Sequence, residues 1–421
     1  MKDWIISAPW LDPAPARQAA ARAYPPLAWP ATRRRTYLLT GTAQPQLAAC
    51  AYTALATGHR IVLLPGTSNS VSIVPGGTLL QFAGQAVSAT PAVGSDVRGG
   101  WDVAMFSSGS TTRAPRGYGF TTAQLDMVTG WYQTIYQVTG DSIIATPLPA
   151  TYNFTFVAGV LLAARLGARL HLNPVSGRLL EDAARLARGA DRVVVLANPV
   201  VLDQAARTAE LPANVMVDSG GAPLSITAIG DYRASGIDVR EGYGLTETAS
   251  LTHFDTEAAP ASLGTVGTAV PGTHAALTST DGKPVIELTS PATGIPLDPA
   301  ETLPALRLGT TDLGVIDGHG RLRLLGRADD EPINGLWPRD TLDALGPVLR
   351  RRCALVRHHQ GGATIRLLTA VSPATVTALR TRAADLLGIP PRHVSVSCHG
   401  TAPLLHSAKV TRHAAADERL H

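Results

Sequence analysis

The sequence predicts an α/β protein: a large unit of mixed, largely parallel sheets with helices and a short-strand β region, then a small C-terminal α/β unit. Three observations carry this. Helical and strand-like patterns alternate from Gln46 to Asp218, the rhythm of a mainly parallel sheet covered by helices. Short strands with hairpin turns take over from about residue 265. A charged stretch at 327–331 then meets Pro332, which marks a boundary. The expected units are residues 1–328 and 329–421.

Taken in order, residues 1–40 are an Ala/Pro/Arg-rich lead-in with weak periodicity. Gln46 to Thr57 reads as a helix, Arg60 to Leu64 as a strand and Pro65-Gly66 as a turn. Val103 to Phe106 is a short apolar strand that stops abruptly in small hydroxyl and glycine residues. Thr122 is the expected N-cap of a helix running through Leu125, Val128, Tyr132 and Ile135. A strand over Ile143 to Ala145 and an apolar helix from Phe154 to Leu166, ended near Gly167, come next. Leu180 to Ala187 is helical, and Arg192 to Ala197 and Val215 to Asp218 are strands. The turns of the short-strand region fall at Asp281-Gly282, Asp317-Gly318 and His319-Gly320. The last unit combines strands Ala354 to Arg357, Thr364 to Leu368 and Val394 to Ser397 with a helix over Thr375 to Leu387.

A chain of 421 residues, 45% hydrophobic, can bury a large core in more than one domain. The net charge of +4 is small for this length, and the runs Arg33-Arg34-Arg35 and Arg350-Arg351-Arg352 lack interleaved aromatics. Solvated faces, not a nucleic-acid track, are expected. Cys50, Cys353 and Cys398 are odd in number and unpaired in spacing, so neither a disulfide framework nor a zinc site is expected. The N-terminus shows no signal-peptide apolar region, and no apolar run approaches a membrane span. A soluble, cytoplasmic protein is the expectation. Lysine occurs only at Lys2, Lys283 and Lys409. Lys2 is terminal and Lys283 sits in a turn where solvation is expected, which leaves Lys409 as the functional candidate.

Several stretches carry chemistry. Ser107-Ser108-Gly109-Ser110-Thr111-Thr112 with Arg113, Arg116 and Gly117 follows a strand. Such a loop turns backbone N–H groups inward and suits a polyphosphate, without the Walker spacing. A flexible surface loop is the bland alternative. Gly220-Gly221-Ala222-Pro223 is a second glycine-rich stop at a strand's carboxyl end, where ligands of such sheets bind. In Tyr243-Gly244-Leu245-Thr246-Glu247 an aromatic could stack on a base and a carboxylate could hold a hard cation, or the stretch is a tight turn with a core tyrosine. Asp312, between Thr311 and Leu313, could accept a ribose diol, and Arg327 could clamp phosphate.

Together, in order and spacing, these stretches resemble the acyl-adenylate-forming enzymes, which include acyl- and aryl-CoA ligases and the adenylation domains of peptide synthetases. The resemblance runs from about residue 45 to the end. It implies a phosphate loop at 107–117, an adenine-side segment at Gly221, Ala222 and Pro223, and a Tyr-Gly-x-Thr-Glu motif at 243–247 with Thr246 and Glu247 catalytic and Glu247 on magnesium. It further implies a ribose acid at Asp312, a partner at Arg327, a pivot at Asp329 and the catalytic lysine at Lys409, in Ser407-Ala408-Lys409-Val410. Tyr152, in Tyr152-Asn153-Phe154, stands where many members carry a histidine beside the acyl pocket. The sequence departs from the family at Thr112, Arg116, Thr311 and Ala408, and the segment after the hinge is one residue short. The implied activity is ATP- and magnesium-dependent formation of an acyl-AMP from a small carboxylic acid; the compact N-terminal part and the aromatic cluster at 152–156 point to an aromatic or medium-chain one. Transfer to the thiol of coenzyme A or a phosphopantetheine carrier protein would follow. A nucleotide-binding, catalytically degenerate subunit is the other class kept open.

Overall fold

The computed structural model describes residues 5–6, 34–41, 44–64, 75–83, 86–107, 115–172, 178–205, 211–301, 307–368 and 370–398. Two large mixed sheets dominate the first of its two units. One has seven strands, with Thr36–Gly41, Arg60–Leu63, Val103–Phe106 and Gly77–Ala83 joined in parallel. Gly117–Phe120, Ile295–Pro296 and Ala86–Ala92 extend its edges in antiparallel fashion. The other has eight strands, with a parallel centre of Arg169–Leu172, Ile143–Thr146, Val193–Ala197, Val215–Ser219 and Asp238–Tyr243. Ile143–Thr146 and Val193–Ala197, at its middle, are buried along their whole length because helices and the neighbouring sheet cover both faces.

The helices Gln44–Ala56 and Thr122–Tyr136, with the segment 155–166, lie between the sheets, so Leu47, Tyr132, Phe156 and Val195 share one core. The helix Thr122–Tyr136 is capped by Thr121, not by Thr122: the Thr121 hydroxyl accepts from the Gln124 N–H, and Gln124 returns a bond to the cap backbone. The expected helix from Phe154 opens as a π-helix, Thr155–Leu161, before tightening to α over Leu162–Leu166, with Gly167 in the left-handed conformation at its end. A widened turn of this kind rotates the side chains that precede it and recurs at functional sites.

The short-strand region is an antiparallel sheet of His274–Thr280, Lys283–Thr289, Leu308–Ile316 and Leu322–Arg327. Its register pairs Asp312 with Arg327, which puts both side chains on one face. Asp281 (φ 51°) and Gly282 (φ 75°) make the tight turn that the sequence indicates. Lys283 departs from expectation. Its side chain is only 15% exposed, and its ammonium donates to Ala328 O (3.0 Å), Asp330 O (2.9 Å) and Glu331 Oε1 (2.7 Å). The flexible stem reaches back from the turn to the segment joining the two units, and three acceptors compensate the ammonium for lost water.

The second unit has a sheet of Ala354–His359, Gly362–Leu367 and Val394–Cys398 under the helices Pro338–Leu349 and Pro373–Leu387. Leu345, Ile365, Leu379 and Val394 form a core of its own. Its first helix docks on the helix Ile226–Ala234, with Gly346 so close to Thr227 that a Cβ would fall 2.3 Å from Oγ1. The charged linking stretch contains a fully buried carboxylate at Asp330. Asp330 accepts from Arg327 N (2.7 Å), Arg357 Nε (3.3 Å) and His358 N (3.3 Å), so the burial of its charge is compensated. Among the described residues no helix is long and apolar enough to cross a membrane.

Candidate active site

A cavity of about 170 Å³ opens between the eight-stranded sheet and the short-strand sheet, at the carboxyl ends of the parallel strands. Of the residues that the sequence singles out, Tyr152, Asn153, Phe154, Gly221, Ala222, Pro223, Tyr243, Gly244, Thr246, Asp312 and Arg327 all line it. These come from stretches up to 175 residues apart (152 to 327) and meet only because the two sheets face each other.

At one end, Asp312 is the centre of a buried polar set. Its Oδ2 accepts from the Tyr243 hydroxyl at 2.7 Å and its Oδ1 from Arg327 Nη1 at 2.7 Å. The Asp312 N–H is held in turn by Thr310 Oγ1 at 3.0 Å. Each carboxylate oxygen has a second lone pair, so Asp312 can still accept two hydroxyls of a ligand. Burial pushes the Tyr243 hydroxyl well above its ordinary range, reinforced by the Asp312 charge, so it stays a donor. Gly220 and Gly221 run along the same wall. Gly221 has φ of 84°, and a Cβ on Gly220 would lie 3.3 Å from the Phe154 ring. Gly244 approaches Ser250 so closely that a Cβ would sit 2.1 Å from its carbonyl oxygen.

In the middle, Asn153 joins the stretches that the sequence keeps apart. Its Nδ2 donates to Thr246 Oγ1 at 2.8 Å and, at 3.4 Å, to Phe106 O, where the strand before the Ser/Thr/Gly loop ends. Ser107 and Arg116 clasp the base of that loop, Ser107 N donating to Arg116 O (2.8 Å) and Arg116 N to Ser107 Oγ (2.9 Å). Gly117 begins the returning strand. Ser108, Gly109, Ser110, Thr111 and Thr112 lie outside the described residues, as does Lys409.

Glu247, Arg116 and Glu247's neighbour Thr246 are not equivalent in placement. Thr246 faces the cavity, whereas Glu247 is half-buried beside Arg116 and Tyr118, outside the cavity wall. The Glu247 charge reaches both: it helps to raise the Tyr118 hydroxyl, after burial, and the Arg116 guanidinium, after its bond with Tyr118. Arg116 also lies 3.5 Å from Glu301. No group of three or more His, Cys, Asp or Glu side chains converges among the described residues. Glu247 offers one carboxylate beside Arg116, the kind of oxygen donor that a hard divalent ion takes together with water and phosphate. Asp329 is away from the cavity, paired with Arg357 Nη2 at 2.6 Å.

Sequence reasoning passed over Asp218, Glu241, Tyr132 and Ser250, which also line the cavity. A readable signal existed for Asp218: an acid closing an otherwise apolar run that reads as a buried strand. Burial pushes its carboxyl up to about 7. Glu241 is 3% exposed, accepts from Leu224 N at 2.9 Å and sits 3.6 Å from Arg339 of the second unit. No local pattern marks that pairing.

Comparison with known proteins agrees with this geometry. The family model described as AMP-binding enzyme matches residues 100–290, which include the strand before the loop, the Gly220–Pro223 stop and the 243–247 motif. A long-chain-fatty-acid–CoA ligase of Mycobacterium bovis is 34% identical over 115 residues, 26% of this chain and 18% of that protein, so the match spans about a fifth of its length. Among solved structures, a benzoate CoA ligase from Burkholderia xenovorans has a TM-score of 0.70 at 17% identity, covering 94% of this chain and 92% of its own. The o-succinylbenzoate CoA synthetase of Bacillus subtilis, solved with its acyl-adenylate, has a TM-score of 0.72 at 18% identity, covering 96% and 93%. These likenesses show the fold. Residues 100–290 thus match the AMP-binding enzyme model, and that stretch carries most of the motifs that line the cavity.

Proposed function

We propose that this protein activates a small carboxylic acid with ATP to give an acyl-AMP and pyrophosphate, then passes the acyl group to a thiol. One observation carries the reading: a single cavity joins a polar end built for a nucleoside, at Tyr243, Asp312, Arg327 and Gly221–Pro223, to an aromatic end at Tyr132, Tyr152 and Phe154. Between them lie Thr246 and, through Asn153, the root of the Ser/Thr/Gly loop.

In this reading the ribose hydroxyls donate to the free lone pairs of Asp312, and the base lies along Gly221-Ala222-Pro223 and the Tyr243 ring. The loop at 107–117 and Arg116 receive the phosphates. Glu247 would hold magnesium, which when bound neutralises phosphate charge as pyrophosphate departs. The substrate carboxylate attacks the α-phosphorus, a displacement in which positioning and charge neutralisation do most of the work. Lys409 supplies a compact cation to the attacking carboxylate and the α-phosphate, and Asp329 is the pivot between units at 1–328 and 329–421. The acceptor is coenzyme A or a carrier-protein phosphopantetheine, and the compartment is the cytoplasm.

The test is acid-dependent exchange of labelled pyrophosphate into ATP, run over aromatic and medium-chain acids. Exchange with at least one acid is expected, and thioester formation on adding coenzyme A or a carrier protein identifies the acceptor. Nucleotide binding without exchange by any acid would favour a non-catalytic, regulatory subunit.

A further inference from the structure

The aromatic end of the cavity holds one charged side chain. Asp218 closes the strand Val215–Ser219, is 1% exposed, and stands among Tyr132, Tyr152, Phe154 and Gly242. Its two oxygens are treated unequally. Oδ2 accepts from the buried Tyr136 hydroxyl at 2.5 Å. Oδ1 is buried and has no hydrogen-bond partner among the described residues.

The surrounding groups leave it so. Tyr132 turns its hydroxyl to Ser250, 3.2 Å from Oγ. Arg240, the cation that acts on Asp218, spends its guanidinium on Asp238 (Nε 3.1 Å, Nη2 2.9 Å) and Thr256 O (2.9 Å). Glycine at 242 keeps space beside the oxygen: a Cβ there would come within 3.7 Å of Oδ1. An acceptor left unpaired in apolar surroundings carries a desolvation cost that a ligand donor removes.

We propose that Asp218 selects the acid: its Oδ1 accepts a hydrogen bond from an amino or hydroxyl substituent of an aromatic carboxylic acid, whose ring lies among Tyr132, Tyr152 and Phe154. The inference rests on the acid-activating reading above. An unsubstituted ring or an alkyl chain would cover Oδ1 without pairing it, so the site penalises hydrocarbon acids. Discrimination of this kind exceeds what apolar fit alone provides, because the polar wall is left unsatisfied by the wrong ligand. The raised carboxyl agrees, since a bound donor would restore the solvation that burial removes.

The experiment compares ring-amino- and ring-hydroxybenzoates with benzoate by pyrophosphate exchange and by calorimetric binding, in the parent and in Asp218→Asn. In that variant the amide oxygen still takes the Tyr136 proton, while its NH₂ faces the cavity and turns an acceptor into a donor. At least one donor-bearing acid should exceed benzoate in kcat/KM by roughly tenfold or more, and the ratio should collapse in Asp218→Asn. Equal use of benzoate and every donor-bearing acid by the parent, or an unaltered ratio in a folded variant, overturns the proposal. If no acid supports exchange, the acid-activating reading fails, and parent calorimetry then decides this one alone. Tighter binding of a donor-bearing acid than of benzoate keeps Asp218 in its role; equal or no binding removes it.

Discussion

Asp312→Asn tests the nucleoside end of the cavity because it changes almost no volume. Asp312 receives two donors, Tyr243 Oη at 2.7 Å and Arg327 Nη1 at 2.7 Å, from opposite sides of its carboxylate. An amide offers one acceptor oxygen and one NH₂, so one of those donors meets another donor. A hydrogen bond to a charged group contributes about 1.5–3 kcal/mol, and a buried partner left unpaired adds to the loss. A stability decrease of about 2–4 kcal/mol in urea unfolding is expected, with the protein still folded at low denaturant. If Asp312 also accepts the ribose hydroxyls, the KM for ATP should rise by roughly 10- to 100-fold, at about 1.4 kcal/mol per factor of ten. Tyr243→Phe is the control. It removes one donor, leaves the carboxylate charged and should cost about 1 kcal/mol of stability, with a smaller effect on ATP. A folded Asp312→Asn variant with the parental KM for ATP would refute the reasoning, leaving Asp312 a structural anchor for Tyr243 and Arg327.

Four further outcomes are expected. Lys409→Ala should slow acyl-AMP formation roughly 10²- to 10³-fold, the scale of one preorganised charge donor, and exchange at the parental rate would remove Lys409 from the reaction. Glu247→Gln should raise the magnesium concentration needed for half-maximal rate without loss of fold; unchanged magnesium dependence would make it a surface acid beside Arg116. Asp329→Pro fixes φ at the pivot, so thioester formation should fall sharply while pyrophosphate exchange persists, and equal losses would argue for a one-position enzyme. Burial raises the Asp218 carboxyl from 3.8 to about 7, so the folded state binds more protons than the unfolded one and stability falls as pH rises from about 4 to about 7. His253, lowered to about 4 by burial, acts with the opposite sign over much of that window. The difference between parent and Asp218→Asn unfolding free energies across the window isolates Asp218, and a pH-independent difference would contradict its raised carboxyl.

The positions of glycine stops and apolar runs made most elements legible, because short-range pattern and strand burial agree. The strand Val103–Phe106 and the turn at Asp281-Gly282 stand where the sequence puts them, and the helix ending at Gly167 ends as expected. Legibility stops where long-range contacts decide. Lys283 sits in the expected turn, yet its ammonium is captured by Ala328, Asp330 and Glu331, some 45–48 residues on. Asp330 lies in a charged stretch whose sequence does not mark its burial, because the Arg357 and His358 groups that bind it come from another strand. Thr121 and Thr122 are equally good caps by type, and the reach of Gln124 back to the Thr121 N–H selects the first. At the site, the motif residues were legible singly. Asn153 as the link between Phe106 and Thr246 was not, because a bond across 93 residues leaves no local periodicity.

The same long-range bonds tie the cavity to the position of the second unit. Glu241 lines the cavity and holds the Leu224 N–H next to Pro223, while its other oxygen faces Arg339 of the docking helix at 3.6 Å. Arg339 also donates to Asp343 at 3.1 Å, and Asp343 accepts from Ile226 N at 2.9 Å. Both Glu241 and Arg339 are 3% exposed. A rotation of the second unit that carried Arg339 away would strand the Glu241 charge in a buried wall, a loss on the order of 3–5 kcal/mol unless another cation or a proton replaced it. Burial already raises the Glu241 carboxyl against the pull of Arg339, so its protonation becomes easier once that cation leaves. The docked arrangement is therefore one discrete state and not a point on a continuum, since partial separation removes the pairing before water can reach either charge. Because Glu241 also fixes the backbone after Gly221-Ala222-Pro223, the residues proposed to carry the base respond to the position of the second unit.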